Sequence, residues 1–113
     1  MKTLQLVVRF SIHPGKTDEF KQLAQKAFAV TRNEAGNLQY DYLLSADEST
    51  CVVLEKYDDS DAFLAHVVNL GEILGQMLAI SEIAPEVYGN PSEALVNATA
   101  ELNPTVYSYL GSK

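Results

Sequence analysis

Cysteine occurs once, as Cys51, so the chain cannot staple itself with a disulfide, and a disulfide-rich secreted scaffold is excluded. Histidine occurs twice, as His13 and His66, and no pair among these three residues has the spacing of a metal site. Basic residues are few: 8 Lys and Arg stand against 15 Asp and Glu, a net charge of -7. Such a chain offers no cationic face to a nucleic-acid backbone or an anionic membrane. Its apolar runs are too short to span a bilayer. The opening stretch "MKTLQLVVRFSIHPGK" alternates polar and apolar residues and carries Arg9 mid-run, so it reads as a strand rather than a signal peptide. A cytoplasmic location is expected. The 6 glycines are scattered without a G-x-G-x-x-G, which removes the usual nucleotide or flavin loop. No G-x-S-x-G marks a hydrolase nucleophile. Neither a metal nor a cofactor is expected.

What is present is enough apolar residue, 47% of 113, for the core of one domain spanning residues 1–113, with 90–113 as a C-terminal helix and tail. "TLQLVVRFSI" alternates with period two and predicts a strand. After the "HPGK" turn, Thr17 is the expected N-cap of a helix with Phe20, Leu23, Ala24, Ala27 and Phe28 as its apolar stripe and Gly36 as its stop. "NLQYDYLLSA" and "CVVLEKY" predict an antiparallel hairpin, the first with Leu38, Tyr40, Tyr42 and Leu44 on one face. "DDSD" caps a second helix, "AFLAHVVNL", and a further helical piece follows Gly71. "ISEIAPEVYG" is a fourth strand whose Pro85 belongs at an edge or bulge. In "NPSEALVNATAEL", Asn90 and Pro91 are the expected N-cap and first helical residue. The order strand, helix, strand, strand, helix, strand is the α+β split βαβ, or ferredoxin-like, arrangement, an antiparallel sheet with helices on one face. Cys51 to Leu54 are all apolar, so both faces of the third strand need cover. A second copy of the same sheet is the simplest cover, which makes a homodimer the expected assembly.

His66 shares a helical face with Ala62, Phe63 and Leu70, pointing an imidazole toward the apolar side. Two readings stand. One is a core histidine whose nitrogens are satisfied by Glu55, a tyrosine or a backbone carbonyl. The other is the base of a pocket that takes a phenolic proton, with Glu55 as orienter. Glu55 could instead pair with Arg9 or Arg32. Tyr40, Tyr42 and Tyr57 are candidate walls for a flat aromatic ligand, with Phe63 beside them. Arg9 is a candidate for holding an anionic substrate, or for an ion pair at the dimer interface. Arg32 fits a solvated helix end.

The stretches "PGKTDEF", "TRNEAGNLQYDYLLS" and "EKYDDSDAFLAH" together resemble the antibiotic biosynthesis monooxygenase superfamily, over roughly the first two thirds of the chain. "VYGNPSEAL" resembles its quinol monooxygenase-like branch. The resemblance implies a dimeric α/β barrel and a cofactor-independent oxidation of a hydroquinone or related phenol by O2. It matches His66 to the family's helix histidine and Tyr40 to an aromatic position. His66, Glu55 and Tyr40 are then the expected catalytic residues, with Tyr42, Tyr57, Phe63 and Arg9 binding a small aromatic substrate. Two departures stand out. "HVVNLGEIL" replaces the Ser-Pro-His-type motif after the helix histidine, so a second pocket imidazole is missing. The haem-degrading branch needs a tryptophan to ruffle the porphyrin, and this chain has none. A non-catalytic small-molecule-binding or stress-related dimer is the alternative, and haem binding through His66 ranks last.

Overall fold

The computed structural model describes residues 2–113. Nine residues, β1 (Leu4–Ile12), form the centre of the sheet, because every second side chain, from Leu4 to Ile12, is buried. Helix α1 (Thr17–Thr31) follows, then the hairpin β2 (Asn37–Leu44) and β3 (Thr50–Tyr57). Next come α2 (Ser60–Leu70), α3 (Glu72–Ala79) and β4 (Ser81–Tyr88). The chain ends with α4 (Glu93–Ala98), a 3-10 turn (Ala100–Leu102) and β5 (Thr105–Tyr107). The sheet order is β2-β3-β1-β4-β5. The first four strands pair antiparallel in the ferredoxin-like manner, while β5 joins β4 in parallel and makes the sheet mixed. Pro85 fits this ladder because pairing with β5 begins one residue later, at Glu86. The helices α1 and α2 cover one face, with Phe10 and Phe20 edge to face at 5.3 Å between centroids.

Several local expectations change for identifiable reasons. Thr17 is the first helical residue rather than the cap, and its hydroxyl donates to the Glu48 carbonyl, 3.4 Å away, tying α1 to the β2–β3 turn. Ser92, not Asn90, caps α4 by accepting from the Leu95 amide at 3.2 Å, while its own amide donates to Ser60 Oγ at 2.9 Å. Among the "DDSD" residues the cap is Asp59, which accepts from the Ala62 amide at 2.9 Å. The register slips between Asn37 and Gln39, so Leu38 is a bulged residue, 53% exposed and off the Tyr40–Tyr42 face. Gly71, at φ 55, breaks the helical run into α2 and α3 at an angle of 77°. Gly36 does not end α1 through a left-handed turn. A Cβ there would meet the Ala62 Cβ at 2.7 Å, so glycine lets the α1–β2 turn lie directly on α2.

The other face of the sheet carries Val7, Val52 and Leu54, half-buried, and Leu43, 49% exposed. Among the described residues, no single helix is long and apolar enough to cross a membrane.

Candidate functional site

A cavity of about 280 Å³ lies between the sheet and the helices. Alternation on β1 sends Leu6, Val8 and Phe10 into its floor, and the same period on β2 and β3 sends in Tyr40, Tyr42, Val53 and Glu55. Helix α2 supplies Phe63 and His66 from one face. Val68 belongs to the lining and is 81% exposed, so the cavity opens beside it.

His66 is 2% exposed, and its hydrogen-bond partner is not the one the sequence suggests. Nδ1 lies 2.9 Å from Glu34 Oε1 and 3.2 Å from Oε2, whereas Nε2 stands 3.9 Å from Glu55 Oε1, beyond a hydrogen bond. Against a carboxylate, Nδ1 is the nitrogen that carries the proton, which leaves the Nε2 lone pair facing the cavity. Glu34 is therefore the orienter, and Glu55 is not. Gly36 explains how Glu34 arrives there. The turn it permits rests on Ala62, one helical turn before His66. Two further side chains fix the carboxylate: Asn37 donates to Oε1 at 3.1 Å and Asn69 to Oε2 at 2.8 Å. Asn69 also donates to the Val30 carbonyl at 2.6 Å, holding α2 to α1.

Glu55 accepts from the Tyr57 hydroxyl at 2.5 Å and pairs with neither Arg9 nor Arg32. The described residues lining the cavity include no Lys or Arg. Burial therefore pushes the Glu55 carboxyl up to about 7; the Tyr57 hydrogen bond opposes this and the Glu34 charge adds to it. Burial lowers the pKa of His66, and the Glu34 charge and hydrogen bond restore part of it. The Tyr40 and Tyr42 hydroxyls share a hydrogen bond of 2.7 Å, and burial raises both above the usual phenol range. Tyr40 also packs edge to face on the His66 ring at 4.8 Å.

The cavity thus brings together His66, Glu55, Tyr40, Tyr42 and Phe63. Tyr57 is wholly buried behind Glu55 and does not line it. Arg9 is elsewhere: strand alternation turns it to the opposite face, where it pairs with Glu86 at 2.9 Å. Arg32 is exposed at the end of α1, and His13 meets Glu82 at 3.3 Å, outside the cavity. Among the described residues, no three His, Cys, Asp or Glu side chains gather as a metal ion would require.

Comparison with known proteins follows the same lines. Crystal structures with this fold include MupZ from Pseudomonas fluorescens, 22% identical, covering 100% of this chain and 94% of that one with a TM-score of 0.86. SnoaB, a cofactor-independent oxygenase from Streptomyces nogalater, is 20% identical over 77% of this chain and 91% of its own, TM-score 0.68. A conserved protein from Methanosarcina mazei is 20% identical over 78% and 92%, TM-score 0.71. No curated protein matches by sequence. At these identities the structures speak for the fold. The family model described as antibiotic biosynthesis monooxygenase matches residues 3–69, more than half of the chain, and the chain belongs to that family.

Proposed function

We propose that this chain is a homodimeric, cofactor-independent monooxygenase that oxidises a hydroquinone or related phenol with O2. Family membership supports monooxygenase-type chemistry, and the observation that carries the reading is the Glu34–His66 pair. An imidazole oriented by a half-buried carboxylate holds a free Nε2 at the polar end of an otherwise apolar cavity. A phenol whose oxygen sits on Nε2 loses its proton to His66. The electron-rich phenolate then supplies all four electrons for O2: the ring ends at the quinone level, with one oxygen atom inserted into it and the other leaving as water. Glu55, whose carboxyl burial raises to about 7 so that a share of it carries a proton near neutral pH, and the Tyr40–Tyr42 hydroxyl pair are the donors available to the developing peroxide. Surrounding apolar walls keep water from competing.

The dimer part of the reading rests on the outer sheet face. Its half-buried Val7, Val52 and Leu54 are the positions a second copy would cover.

The test is oxygen uptake by metal-stripped protein with a panel of hydroquinones, with autoxidation subtracted. His66→Ala is expected to abolish uptake, and Glu34→Gln to lower it about 100-fold or more, in the range of a lost general base. Uptake that survives both changes refutes the reading. A second reading is favoured by Glu55 itself. A carboxylic acid and an imidazole base 3.9 Å apart can move protons on a hydroxyl or carbonyl compound without consuming oxygen. Turnover under argon selects that reading.

A further inference from the structure

Thr99 apart, the polar side chains that line the cavity are all at one end. Tyr40 and Tyr42 come from β2, Glu55 from β3 and His66 from the helix above them. The sheet order β2-β3-β1-β4 carries the floor across three strand spacings, about 14 Å at roughly 4.8 Å each. At the far end the floor is Ile83, Pro85 and Val87 of β4. Above it the C-terminal segment contributes Ala98, Thr99, Leu102 and Pro104. The one hydroxyl there, on Thr99, is spent on the Leu95 carbonyl at 2.9 Å. A ligand with hydroxyls at both ends of its length would leave the far one dry and unpaired, which weakens its binding.

We propose that the ligand is amphipathic, with a single oxygenated head on His66 and Glu55 and an apolar body several carbons long. That body runs across β1 and β4 and ends against Leu102 and Pro104, which set its length. The inference rests on the reading that the His66 end takes the oxygenated head, and it names the substrate class of that site. The length-setting residues lie outside residues 3–69, the part the family shares, so this selectivity belongs to the C-terminal segment. It also assigns the segment a use: β5 is short, but its pairing with β4 holds Leu102 and Pro104 over the cavity.

The experiment is equilibrium binding of 4-alkylphenols, from methyl to nonyl, by calorimetry under argon. Affinity is expected to rise about fourfold per methylene while the body is being buried, and then to level off. Leu102→Trp should bring the plateau at a shorter alkyl chain, and Leu102→Ala at a longer one, with 4-methylphenol bound equally by all three. Leu102 is half-buried at the rim, so both changes leave the core intact, and the circular dichroism spectrum verifies this. His66→Ala should weaken every member by the same factor. Affinity that ignores chain length, a plateau that neither Leu102 change moves, or no binding by any member overturns the proposal. Since no oxygen is present, these outcomes are independent of whether uptake is seen, and a failed oxygenase reading is told apart from a failed ligand class.

Discussion

Replacing Gly36 by alanine tests how Glu34 reaches His66. The added methyl carbon meets the Ala62 Cβ at 2.7 Å, far inside the 3.5–4.0 Å at which carbon atoms attract. Both atoms are attached to backbone, so relief requires the turn and α2 to separate. Overpacking of this kind costs about 1–3 kcal/mol, or roughly 4–13 °C in melting temperature for a domain of this size. Removing the other atom, as Ala62→Gly, costs about 0.5–1 kcal/mol of helix propensity. The double variant carries no clash and regains about 0.4–1 kcal/mol from the stiffer unfolded chain at position 36. It should therefore be more stable than Gly36→Ala alone, although it contains one more destabilising change. Urea denaturation of all four proteins at one concentration measures the cycle, and the His66 Nδ1–H resonance reports whether the Glu34 bond survives. In Gly36→Ala that resonance should be lost to exchange, and in the double variant it should return. Additive stabilities, or a resonance that Gly36→Ala leaves unchanged, would refute the reasoning.

Glu55 gives a pH signature. Its carboxyl rises from 4.5 to about 7 on folding, so its contribution to stability is whole below pH 4.5 and disappears as the pH climbs through 7. Relative to Glu55→Gln, the unaltered chain should lose up to about 3 kcal/mol across that window. His66 runs the opposite way, because burial lowers its pKa and its share fades as acid charges the ring. Comparing the two proteins at each pH cancels His66, and a difference that stays flat from 4.5 to 7 refutes the assignment. On the outer face, Leu54→Lys should convert a dimer into a 12.4 kDa monomer in sedimentation, with the folded spectrum retained. A monomer before substitution removes the dimer proposal.

The sequence makes the fold legible because its periods are clean. Alternation from Leu4 to Ile12 and the stripe from Phe20 to Phe28 each match one buried face. The pocket is half legible for the same reason: position on a face predicts that His66, Tyr40, Tyr42 and Phe63 converge. Arg9 fails on the same rule, since a residue between Val8 and Phe10 cannot share their face. Glu34 is missed because its partner is 32 residues away and local reading treats "TRNE" as a solvated helix end. The available signal is topological. In a split βαβ unit, α1 and α2 lie side by side, so an acid in the turn after α1 can reach a histidine on α2. Bulges and parallel additions leave weaker traces. Leu38 looks like one more alternating residue, and "TVY" is too short for its pattern to specify a partner.

The two edges of this sheet are poor templates. On one side β2 is eight residues long, but its ladder slips at Leu38, and a chain arriving edge-on would have to reproduce that slip. On the other side β5 offers only three residues and covers Glu86 to Tyr88 of β4, and Pro85, next to that stretch, has no amide proton to give an arriving strand. Growth by strand addition, the route from folded domain to fibril, is therefore obstructed at both ends of the sheet. The dimer proposed above uses the sheet's broad face and neither of these edges.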